Sequence, residues 1–118
     1  PSDDAEFLRR ATLDLAGTVP TAAEAKSFLG DTDPRKRDKL LDKLLAAPSY
    51  AERMTDLYHV ALMERLGDHP AWTAYLTKSF AANAPWDAMA RDMLRADPAP
   101  GDKHGAAFFL AKRLENYG

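Results

Sequence analysis

Three histidines and a methionine are the residues of this chain whose chemistry most invites a functional reading. His59 and Met63 stand one helical turn apart in "YHVALM", and imidazole and thioether both ligate copper or haem iron. Side chains at i and i+4 project the same way from a helix, so this pair cannot grip opposite faces of one haem. His59 also lies beside the apolar stripe of its segment, at the margin of core and water, where a structural imidazole is the commoner outcome. His104, in a glycine-flanked stretch, is the third candidate ligand for haem or a metal. His69 precedes Pro70 and reads as part of a helix start. No HExxH spacing joins a histidine to a carboxylate, no serine stands in a GxSxG context, and no glycine-rich loop is spaced to cradle phosphate. No catalytic residue is assigned.

Charge and composition exclude further classes. The basic run "PRKRDKLLDK", residues 34–43, carries Asp38 three positions after Arg35 and Asp42 three after Lys39, which describes a solvated helix face. Aromatic residues do not interleave with these cations, and the net charge is -2 with a pI near 5.9, so nucleic acid is not an expected partner. The chain has no cysteine, which removes disulfides, thiolate metal sites, cysteine nucleophiles and covalent c-type haem attachment within these 118 residues. No apolar run approaches the ~18 residues of a membrane span. No signal peptide is read in the chain, which is taken as a mature or excised segment of a longer protein.

The elements that must position these residues are helical. Asp3 with Glu6 has capping-box spacing, Phe7, Leu8, Ala11 and Leu15 form one stripe, and Gly17 supplies a stop. Thr21 with Glu24 repeats the box after Pro20, starting a helix that runs to about Leu29 and ends at Gly30. Asp33-Pro34 reads as an N-cap and first helical position, before a face of Leu40, Leu41, Leu44 and Leu45 that Pro48 closes. Ser49 with Glu52 opens a fourth helix with an inner stripe of Met54, Leu57, Tyr58, Ala61 and Leu62, stopped by Gly67. A fifth helix follows Asp68-His69-Pro70, a sixth follows Asn83-Ala84-Pro85, residues 97–105 read as a loop, and a last helix runs from about Ala106 to Glu115. Two valines and no isoleucine argue against a sheet. The expected fold is all-α, a compact bundle of six or seven short helices with mostly antiparallel neighbours, forming a single helical domain over residues 1–118.

"FLRRATLDLAGTVPT" looks at first like a site or a twin-arginine export tag, but Asp14 interrupts the segment that such a tag requires to be apolar. Its structural reading is a helix and stop built on Arg9, Arg10, Asp14, Gly17, Pro20 and Thr21. Arg10 is placed one turn from Asp14 for an ion pair, and its guanidinium is expected to hold the following turn. Phe108, Phe109 and Tyr117 make the last segment rich in aromatic groups and are candidates for contact with a neighbouring domain or partner protein.

"DDAEFLRRATLDLAGTVPTAAEAKSFLGD", then "RDKLLDKLLAAPSYAERM", and later "FAANAPWDAMARDMLRAD" and "FFLAKRLENYG" resemble a bacterial domain-of-unknown-function family. The resemblance implies a large exported protein of planctomycete type, in the periplasm or at the cell surface, in which this domain accompanies cytochrome-c-like modules. It carries over Phe7 to Leu15 and Trp86 as motif residues without a catalytic role. Family members commonly hold tryptophans after the Pro-x-Tyr element, where this chain reads "RMTDLYHVALMERL". Similar members continue past the "ENYG" element into Cys-x-x-Cys-His, so the resemblance places c-type haem in the parent protein and outside this chain. Three functions follow in order: a helical scaffold or interaction module linked to electron transfer; a cytochrome-type carrier in which His59, Met63 or His104 reaches a haem held elsewhere; and a fragment of a polysaccharide-related enzyme.

Overall fold

The structure, a computed structural model, describes residues 2–95, 101 and 104–117, the side chains of 116 and 117 excepted. Every regular element among them is helical: α1 (Asp4–Ala16), α2 (Ala22–Gly30), α3 (Lys36–Ala46), α4 (Pro48–Met63), α5 (Pro70–Ala81), α6 (Trp86–Leu94), a 3-10 turn (His104–Ala106) and α7 (Ala107–Tyr117). The all-α expectation holds. By contact, the chain divides into two compact units, Pro1–Arg53 and Met54–Gly118.

In the N-terminal unit, α1 packs on α2 and α3. Asp3 caps α1 by accepting the Glu6 N–H at 2.8 Å. Thr21 and Glu24 complete both arms of the second capping box: Glu24 N–H meets Thr21 Oγ1 at 3.2 Å, and Thr21 N–H meets Glu24 Oε2 at 2.9 Å. Leu8, Thr12, Phe28 and Leu44 are buried, and the Phe7 and Phe28 rings stack at 6.3 Å. Arg37 lies over Phe7 and Lys36 over Phe28, and both cations reach the carboxylate of Asp4, at 2.9 and 2.8 Å. Hydrogen bonds from Lys36 and Arg37 hold the Asp4 carboxyl below its usual range.

Several expected details differ. Asp33-Pro34 forms a turn before α3, with Asp33 Oδ1 accepting the Arg35 N–H at 2.8 Å, and the helix starts at Lys36. α2 continues through Gly30, and Leu45 is exposed because α3 turns Leu44 inward. Pro48 begins α4, so Ser49 lies inside that helix and does not cap it. Arg10 pairs one turn back with Glu6, as does Arg9, and not forward with Asp14. The acid-before-arginine order is the one the helix dipole favours. The turn after α1 is covered by Arg53, whose Cδ comes within 3.0 Å of the position a Cβ would take on Gly17.

The C-terminal unit has the larger core: Met63, Trp72, Tyr75, Leu76, Met89, Met93 and Ala106. α4 enters it with Met63 and also buries Thr55, while Leu57 and Ala61, expected inside, face out. Thr55 can occupy an inner place because its hydroxyl meets Thr77 Oγ1 at 3.0 Å, and Thr77 also donates to the Thr73 carbonyl. α4 ends at Met63, four residues before Gly67, with Glu64 in the left-handed region and Arg113 donating to the Leu62 carbonyl left free at the helix end. The 3-10 turn lies so close to α5 that a Cβ on Gly105 would fall 1.9 Å from the Ala71 carbonyl oxygen. Most of the expected 97–105 loop lies outside the described residues.

Gly17 and Gly30 give opposite expectations for one substitution. Gly17 has φ +72 beneath the Arg53 chain, so Gly17→Ala should lower unfolding free energy by about 1–2 kcal/mol. Gly30 is helical with open space around its Cβ position, and Gly30→Ala should leave stability unchanged or raise it by about 0.5 kcal/mol. Urea denaturation of both variants checks the pair; equal losses would contradict it.

Candidate functional site

The histidine candidates fall into two places in the C-terminal unit. His59 Nδ1 accepts a hydrogen bond from the indole N–H of the fully buried Trp72 at 3.1 Å. An acceptor Nδ1 places the ring proton on Nε2, so this bond fixes the tautomer. Met63 is fully buried in the same core, which encloses its thioether. His69 caps α5, its Nδ1 accepting the Ala71 N–H at 3.1 Å, as the start-signal reading expected. His104 and His69 share a recess of about 230 Å³ walled by Ala71, Gly105, Phe108 and Ala111.

This arrangement does not fit a haem. His59 is committed to Trp72, Met63 is sealed, and the recess beside His104 is smaller than the ~300 Å³ at which drug-sized pockets begin. Among the described residues, no three of His, Asp or Glu are grouped to hold a metal ion. Phe108 and Phe109 are half-buried against their own unit: Phe108 meets His69 at 5.2 Å under Lys112, and Phe109 meets Trp72 at 6.2 Å under Arg113. The Tyr117 side chain lies outside the described residues. Trp86 is half-exposed and leans on Tyr58 at 5.2 Å, which in turn contacts Phe80 at 5.0 Å.

Sequence reasoning missed a cleft in the N-terminal unit. It measures about 260 Å³, with Leu8, Phe28, Leu40 and Leu44 as floor and Lys36, Lys39 and Lys43 along one side. The spacing of these lysines, i, i+3 and i+7, beside Leu40 and Leu44 was the available signal, because it puts cations and leucines along one edge of α3. Also missed was the outward face of α4, where Leu57 and Val60 stand three apart and Val60 is 65% exposed.

Fold and site together define a helical module in which His69 serves a cap and His59 a part-buried hydrogen bond. Residues 1–117 match the family model described as PSCyt2, protein of unknown function (DUF1549). The chain belongs to that family. No curated protein and no solved structure matches it.

Two measurements test the core around Trp72. Replacing His59 with leucine leaves the buried indole donor without an acceptor and should cost about 1–3 kcal/mol, whereas His59→Gln should recover part of that loss. Denaturation in a Trp86→Phe background isolates the Trp72 emission; no loss in His59→Leu would sink the assignment. Tyr75, 6% exposed, has its hydroxyl 3.3 Å from Asp92 Oδ2. Burial, then the Asp92 charge, push its pKa up to about 12. The folded value lies above the unfolded one, so this contribution is complete below about pH 10 and is lost as pH rises through about 12, roughly 3 kcal/mol in all. Tyr75→Phe should flatten the fall in stability over that range.

Proposed function

We propose that the chain is a helical scaffold and interaction module of an exported bacterial protein, associated with an electron-transfer component whose haem is held outside these residues. The outward face of α4 carries the interaction part of the reading. Leu57 and Val60 stand there with Ala61 exposed beside them, although Thr55, Tyr58 and Met63 on the same helix turn toward the unit's own packing. Exposed aliphatic side chains grouped on one face mark association surfaces more often than scattered ones do. Leu94 and Leu114, each more than 60% exposed, add apolar area to the same unit.

Export and electron transfer are supported by the family resemblance. Scaffolding is favoured over catalysis because His59, His69 and the buried Tyr75 are engaged in packing and capping.

Size-exclusion chromatography with light scattering, over a range of concentrations, tests the interaction reading. The expected result is a mass above the 13.0 kDa monomer that Leu57→Lys with Val60→Glu returns to monomer, with the helical circular dichroism unchanged. A monomer at every concentration would count against it. For the electron-transfer part, a Soret band is expected in the native protein isolated from its own host, and a haem-free native protein would overturn that part.

A further inference from the structure

The N-terminal cleft has polar groups of both signs at its rim, and their existing bonds decide which one remains for a ligand. Lys36 has three donors and three acceptors: Asp4 Oδ2 at 2.8 Å, the Asp31 carbonyl at 2.9 Å and the Phe28 carbonyl at 3.3 Å. Lys39 is paired with Asp33. Glu24 gives Oε2 to both the N–H and the hydroxyl of Thr21, and Asp31 gives Oδ1 to the Asp33 N–H. Lys43 differs. Among the described residues its ammonium meets only Glu24 Oε1, at 4.0 Å, and its side chain is 71% exposed.

An incoming anion can therefore take Lys43 without breaking a cap, because Glu24 stays bonded to Thr21 through its other oxygen. Below the rim Leu8, Phe28, Leu40 and Leu44 dominate the lining, with Pro20 and the small hydroxyls of Thr12 and Ser27 between them, so the body of the ligand must be mainly apolar. Size sets the final limit. The cleft of about 260 Å³ falls below the ~300 Å³ at which drug-sized pockets begin, so the ligand must be small.

We propose that this cleft binds a small apolar carboxylate, its body on Leu8, Phe28, Leu40 and Leu44 and its charge on Lys43. The site is independent of the α4 face and of any haem. It makes the N-terminal unit a ligand-binding element as well as a packing one.

Three uniform probes of one shape decide it: 3-phenylpropionate, 3-phenylpropionamide and 3-phenylpropylamine, titrated into the 15N-labelled 118-residue chain. The acid should give saturable shifts at the amides of Ser27, Leu40 and Lys43. The amide should bind about three- to five-fold more weakly, as expected for an exposed charge contact, and the amine more weakly still. Lys43→Gln, an exposed change that leaves the fold intact, should reduce acid binding to the level of the amide. Equal binding of acid and amide would reduce the cleft to an apolar hole and overturn the proposal. Shifts that do not saturate, or a Lys43→Gln chain that binds the acid unchanged, would overturn it too.

Discussion

The C-terminal unit depends on how one buried donor is satisfied. Trp72 is fully enclosed, and an indole N–H without an acceptor there would cost about as much as a substantial share of a small domain's stability. His59 Nδ1 supplies the acceptor and so fixes both the histidine tautomer and the rotation of α4 against α5. Thr55 bonds to Thr77 on the same pair of helices one turn earlier, and Met63 enters the core one turn later. With residues 55, 59 and 63 facing inward, residues 57, 60 and 61 must face outward. One hydrogen bond thus ties the core to the exposed face on which the interaction reading rests.

The N-terminal unit uses charge where the other uses apolar volume. Asp4 collects Lys36 and Arg37, and these cations cover the stacked rings of Phe7 and Phe28. Lys36 also binds the last carbonyls of α2, a helix end that would otherwise need water. Its side chain therefore joins α1, the end of α2 and the start of α3 at one corner. The cleft lies beside that corner because α2 and α3 are held there at one end and by the long Lys43–Glu24 contact further along.

Helix number and most caps were legible in the sequence because they depend on neighbours within four residues. Asp3, Thr21 and His69 behave as local rules require. The inner face of α4 was not legible. Counting apolar residues favours Leu57 and Ala61, but tertiary hydrogen bonds to Thr77 and Trp72 reward Thr55 and His59, and neither partner is visible from within the helix. The same limit explains Arg10. Glu6 and Asp14 are both four residues away, and the choice between them follows the helix dipole, while the distant Arg53 covers the turn assigned to Arg10. The division into two compact units rests on contacts that helix periodicity does not encode.

The residues that identify the family are largely used up by structure, which is why the resemblance does not disclose a chemistry. In "DDAEFLRR", Asp3 caps, Asp4 clamps α3, Glu6 holds Arg9 and Arg10, and Phe7 stacks on Phe28. Farther along, Gly17 adopts the left-handed turn, and Thr21 completes a capping box. A group whose bonds are all internal has little left with which to recognise anything else. Recognition must therefore be sought in groups the fold leaves under-used: the loosely held ammonium of Lys43 above its apolar floor, the exception within the quoted stretches, and Leu57 and Val60 on the outer side of α4, beyond them.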